Sequence, residues 1–66
     1  MEIVLNGEAR NVVDGTTLAG LLGTLELRGR RYAVEINEEL IPRSEHVAHV
    51  LQRGDRIEVV QAIGGG

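Results

Sequence analysis

The chain has 66 residues, seven Arg and no Lys against ten Asp and Glu, a net charge of −3, and no cysteine. Its length fits one domain, since independent domains rarely run below about 50 residues. The acidic balance argues against a nucleic-acid-binding face, and the missing cysteines exclude disulfides, thiolate metal sites and cysteine nucleophiles.

No apolar run approaches the roughly 18 residues of a membrane-spanning helix, and no cationic start leads into the apolar stretch of a secretory signal. The expectation is a soluble, cytoplasmic protein with neither nucleic-acid nor membrane partners. A chain of about 60 residues buries only about 60% of the surface its unfolded form exposes. With 42% apolar residues, nearly every apolar side chain is needed for the core. Little remains to line a deep small-molecule pocket of about 300 Å³ or more, so an enzyme is not expected.

Met1, Ile3 and Leu5 alternate with Glu2 and Val4, which predicts a first strand. Asn6-Gly7 then predicts a two-residue hairpin turn, because a type I′ turn needs positive φ at both central positions. Residues 9–13 read as the returning strand, closed by Asp14-Gly15. Thr16 or Thr17 suits a helix N-cap. Leu18, Leu21, Leu22 and Leu25 follow at the spacing of one helical face. Gly20 and Gly23 weaken such a helix by up to about 1 kcal/mol each, and are read as permitting close helix–sheet packing or as marking fraying.

Arg28 to Arg31 form a polar link, and Tyr32, Val34 and Ile36 alternate in a third strand. Glu38-Glu39 is read as a turn and Leu40-Ile41 as a short strand ended by Pro42, which cannot donate to a ladder. Ser44 could cap a helical turn running to Ala48. Arg53-Gly54-Asp55 is a turn, and Arg56 to Val60 the last strand, with Ile57 and Val59 inward. A hairpin, one amphipathic helix and then further strands describe an α+β domain of the β-grasp plan. Such a mixed sheet has four or five strands, with the helix on one face and the first and last strands parallel at the centre. The domain spans 1–60, and 61–66 form a mobile tail.

The tail closes on Gly64-Gly65-Gly66. Glycine lacks a Cβ, so such an end could pass through a channel too narrow for other residues and present an unhindered carboxylate. Activation as an acyl-adenylate would make that carboxyl carbon attackable. The plainer alternative is an end that frays, where glycines cost nothing.

Several segments together resemble the ThiS family of ubiquitin-like sulfur carrier proteins in thiamine (thiazole) biosynthesis. They are Asn6-Gly7, Thr17-Leu18 with Leu21-Leu22, Val34 to Asn37 followed by Ile41-Pro42-Arg43, Leu51 to Val60, and Ile63-Gly64-Gly65-Gly66. The resemblance spans essentially the whole chain and implies a β-grasp fold. It also implies a protein co-substrate without catalytic residues or a bound cofactor of its own. A ThiF-type adenylyltransferase would use ATP and magnesium to adenylate the carboxylate of Gly66, with Gly64 and Gly65 threading into its site. Sulfur from a cysteine desulfurase would replace AMP to give a thiocarboxylate, which thiazole synthase (ThiG) would take into the thiazole ring. Many members end in a shorter glycine run.

Val60 points away from Ile57 and Val59, toward the sheet face the helix leaves open. With Val4 on the neighbouring central strand it is expected to form a small apolar patch, and Ile63 precedes the glycines without a core role. Exposed apolar clusters commonly mark interaction sites, so Val4, Val60 and Ile63 are the expected partner contacts, ordinary sheet packing being the alternative. His46 and His49 have a spacing that could serve a metal, but only Glu45 is at hand as a further ligand, so no metal site is expected. Arg28, Arg30 and Arg31 read as a solvated loop, Glu35, Glu38 and Glu39 as a solvated turn, and Asp55 as a turn residue.

Other readings of the same glycyl end are a sulfur carrier for molybdopterin or cysteine formation, or a ubiquitin-like modifier joined to lysines of other proteins. A purely structural binding module would not need a free carboxylate.

Overall fold

The computed structural model of the protein describes residues 1–27 and 31–61. Strands β1 (Glu2–Leu5) and β2 (Glu8–Asn11) form the first hairpin, and helix α1 (Leu18–Leu22) follows. Strand β3 (Tyr32–Ile36), the two-residue β4 (Glu39–Leu40), a 3₁₀ turn over Arg43–Glu45 and strand β5 (Arg56–Gln61) complete the elements of the described residues. The five strands form one sheet in the order β2-β1-β5-β3-β4. β1 and β5 lie parallel at its centre, and the other pairings are antiparallel. This is the expected β-grasp order.

Alternation decides which side chains meet α1. Ile3 and Leu5 of β1, Val34 and Ile36 of β3, and Ile57 of β5 point to one face and are buried there with Leu18, Leu21 and Leu22 of the helix. Ile41 and Leu51 join them from the loops. Each fully buried aliphatic side chain contributes about 1.5–3 kcal/mol, and with so few of them each is a sizeable share of the fold.

The helix is shorter than the leucine spacing predicts. It ends at Leu22 with Gly23 as its C-cap, so Leu25 lies beyond it, in a turn where the Leu25 amide donates to Leu22 O at 3.1 Å. The Thr24 hydroxyl donates to Leu21 O at 2.7 Å, the same terminal carbonyl that the Thr24 amide meets at 3.0 Å. Leu25 still packs partly buried against the core. So short a helix is marginal alone, and its start is held from outside. Thr17 is the N-cap, its Oγ1 accepting from the Gly20 amide at 3.1 Å. The Leu18 and Ala19 amides donate to His49 O at 2.8 Å and His46 O at 2.9 Å. Gly20 is exposed and away from the sheet. A Cβ there would come to 3.3 Å from Thr17 Oγ1, so the missing side chain makes room for the cap rather than for helix–sheet packing.

Four boundaries differ from the sequence reading. The returning strand is Glu8–Asn11, not 9–13. Ser44 sits inside the 3₁₀ turn, whose N-cap is Pro42. Gln61 belongs to β5, paired with Tyr32, rather than to a tail. The second hairpin turns at Asn37-Glu38, leaving Glu39 in β4 opposite Ile36. Both turn residues have positive φ, 54° and 71°, as a type I′ turn requires. Glutamate gives no sequence signal for that conformation, which favours glycine.

Candidate functional site

The side of the sheet away from α1 carries no covering element among the described residues. Alternation places Val4 of β1, Arg56, Glu58 and Val60 of β5, Ala33 and Glu35 of β3, and Leu40 of β4 on this face. Val60 is 61% exposed and Leu40 64%, while Val4 is half-buried. Cross-strand partners set the pattern: Ala33 lies opposite Val60, Glu35 opposite both Glu58 and Leu40, and Arg56 beside Val4. Val4 and Val60 therefore share the face without forming one contiguous patch. Val60 lies four steps along β5 from Val4's neighbour Arg56, about 13 Å at the rise of a strand. The residues actually beside Val60 include Ala33, which the alternation of β3 marks but the sequence reading passed over. Ile63 and the glycines Gly64, Gly65 and Gly66 lie outside the described residues.

Strand β5 is the element that carries the chain toward those glycines, and two asparagines pin it. The Asn6 amide donates to Ile57 O at 2.9 Å, and the Asn6 side-chain Oδ1 accepts from the Val59 amide at 2.9 Å. The side chain thus prolongs the parallel β1–β5 ladder one step past the end of β1. On the other flank, the Asn37 amide donates to Arg56 O at 2.8 Å, and Asn37 Oδ1 accepts from the Arg56 amide at 3.0 Å. Both asparagines have positive φ, which Asn tolerates better than most residues. Asp55, buried just ahead of β5, accepts from the Gln52 amide at 2.8 Å through Oδ2 and from Asn37 Nδ2 at 3.0 Å through Oδ1. The turn role expected of Asp55 is met, and it extends to the neighbouring hairpin.

His46 and His49 do different work. His46 is 6% exposed, with Nε2 at 3.1 Å from Ile41 O and its ring stacked on Tyr32, centroids 6.4 Å apart. The Arg43 guanidinium lies 4.5 Å from the centroid of the same Tyr32 ring. His49 is half-buried, and its backbone carbonyl serves the helix start. Among the described residues no three His, Asp or Glu side chains gather to hold a metal. Arg31 is exposed, as are Glu35, Glu38 and Glu39; Arg28 and Arg30 lie outside the described residues. A hollow of about 490 Å³ is lined by Leu22, Leu25, Tyr32, Arg43 and His46 among others. It is larger than the composition suggested, but it is an open groove rather than a deep pocket. Among the described residues no helix is long and apolar enough to cross a membrane.

A mixed five-stranded sheet with parallel central strands and one short helix on one face defines a ubiquitin-like β-grasp domain. Residues 3–66 match the ThiS family. The chain belongs to that family of sulfur carrier proteins. It is 36% identical to the sulfur carrier protein ThiS of Escherichia coli, over the full length of both chains. Its fold superposes on the crystal structure of a thiamine biosynthesis protein (ThiS) from Geobacter metallireducens with a TM-score of 0.84 and 28% identity, covering both chains completely. It is also 50% identical to part of a thiazole synthase of Magnetococcus marinus and 42% identical to part of one of Paramagnetospirillum magneticum. The whole chain aligns in both cases, and it spans a fifth of the length of each of those proteins.

Proposed function

We propose that the protein carries sulfur on the carboxyl group of Gly66 for formation of the thiazole ring of thiamine. The observation that carries this reading is the family match, which runs through the β-grasp body and includes the terminal glycines. A carboxylate is a poor electrophile. Attack of its oxygen on the α-phosphorus of ATP, with loss of pyrophosphate, would give an acyl-adenylate. A persulfide sulfur from a cysteine desulfurase would then displace AMP, and reduction of the S–S bond by a thiol would leave the thiocarboxylate. A ThiF-type adenylyltransferase, using magnesium with ATP, would perform the activation, so the protein is a co-substrate rather than the catalyst.

The proposed acceptor enzyme is thiazole synthase. Support comes from the proteins of that name that hold a segment resembling this chain within one polypeptide, since fusion keeps donor and acceptor at high effective concentration. Val60, Val4 and Ile63 are the proposed partner contacts, and the register adds Ala33 beside Val60. Intact-mass measurement after incubation with ATP, magnesium, a ThiF-type enzyme and a sulfur donor tests the reading. Exchange of one oxygen for sulfur at Gly66 is expected, and a chain extended by one residue past Gly66 should show none. Persistence of the unmodified mass with an enzyme active on its own carrier would overturn the proposal.

A further inference from the structure

Asn6 and Gly7 are both exposed and form the turn between β1 and β2, with φ of 49° and 85°. Gly7 brings no side chain of its own to shield its peptide nitrogen, and a Cβ added there would meet nothing beyond its chain neighbours within 4 Å. An amide side chain followed by such a nitrogen is set up for an intramolecular reaction. The Gly7 nitrogen attacks Asn6 Cγ, and the new C–N bond closes a five-membered succinimide. The Asn6 Nδ2 group leaves as ammonia, taking up the proton lost from the Gly7 N–H. Water then opens the ring at either carbonyl, giving aspartate or isoaspartate. Water is the only co-reactant.

The folded protein opposes ring closure. Asn6 Oδ1 is tied to the Val59 amide at 2.9 Å and the Asn6 amide to Ile57 O at 2.9 Å, which holds both side chain and backbone toward β5. Drawing Cγ onto the Gly7 nitrogen pulls Oδ1 away from Val59. We propose that Asn6-Gly7 is a latent self-modification site, deamidating through a succinimide and kept silent in the native protein by the Asn6–Val59 hydrogen bond. The two products have different structural fates. An aspartate side chain still offers Val59 an acceptor. Isoaspartate inserts a methylene into the backbone at the hairpin, so the contacts of Asn6 with Ile57 and Val59 cannot both be kept. The lesion therefore reaches β5, the strand leading to the C-terminal residues, and either product adds a negative charge.

The molecule contains its own controls: Asn11 precedes Val12 and Asn37 precedes Glu38, side chains that shield the attacking nitrogen. The full chain, incubated at mildly alkaline pH with and without urea, is digested, and each asparagine is scored by peptide mass and by isoaspartate content. In urea, Asn6 is expected to deamidate well ahead of Asn11 and Asn37. In buffer its rate should fall at least about tenfold, because a locally open minor state is populated at about 0.1–10%. Val59→Ala trims a half-buried side chain at that end of β5, and it should speed the reaction in buffer while leaving the rate in urea unchanged. Equal rates at all three asparagines in urea would remove the site. Equal rates at Asn6 with and without urea, or no response to Val59→Ala, would remove the lock.

Discussion

The Asn37 side-chain amide donates to Asp55 Oδ1 at 3.0 Å, joining the tip of the second hairpin to the turn that launches β5. The other carboxylate oxygen takes the Gln52 amide, so one buried side chain serves two donors. Asp55→Ala removes both part-buried bonds, and at about 0.5–1.5 kcal/mol net for each the pair contributes about 1–3 kcal/mol. Urea unfolding should show a loss in that range with an unchanged slope, and Asp55→Asn should fall between wild type and alanine.

Glu38 holds φ at 71° with its side chain exposed, so it carries the steric cost of left-handed backbone without packing to offset it. Glycine removes that cost, worth roughly 1–2 kcal/mol for an L-residue, less the extra freedom glycine gains in the unfolded chain. Glu38→Gly is expected to raise stability by about 0.5–1 kcal/mol by these terms. A fall in the melting temperature would contradict the account of this turn.

Ile57 is 0% exposed and sits on the central strand, between β1 and β3. Truncation of a buried isoleucine to alanine costs about 2–5 kcal/mol, whereas a domain of this size has only about 3–10 kcal/mol in all. Ile57→Ala should therefore populate unfolded protein measurably at 25 °C, seen as lost amide protection across β1, β3 and β5.

Val60→Asp alters the open face at a side chain that is 61% exposed, so stability should change by no more than about 0.5 kcal/mol. If this face meets the partners, sulfur loading or transfer should drop at least tenfold by a rise in KM. Val13→Asp, at a still more exposed valine (78%), should leave both unchanged. Identical behaviour of the two variants would move the contact elsewhere.

The parts of the fold readable from sequence are those set by local chemistry. The Asn6-Gly7 hairpin, a threonine cap at position 16 or 17 (Thr17 in the structure) and the alternation of Ile3–Leu5 and Val34–Ile36 each need only neighbouring residues to define them. What escaped is set by tertiary pairing. The Asn37-Glu38 turn is imposed by the Ile36–Glu39 pairing and by the grip of Asn37 on Arg56, while a propensity argument steers Glu38 away from positive φ. The distance between Val4 and Val60 depends on the parallel β1–β5 register, a contact across more than fifty residues that no local pattern encodes. The spacing of His46 to His49 is visible in the sequence, whereas the burial of His46, its stacking on Tyr32 and its bond to Ile41 O are not. Of the proposed site, Val60 and Val4 were legible as outward-facing positions, and Ala33 was legible in principle from the same alternation.

The parallel arrangement of β1 and β5 also has a mechanical consequence. The chain enters β1 at one end of the ladder and leaves β5 at the other, so a force applied beyond Gln61 against the start of the chain loads the bonds at Val4, Asn6 and Val59 side by side, in shear. They cannot open one at a time like a zipper. Tension along β5 is therefore shared among several bonds at once instead of peeling the sheet apart.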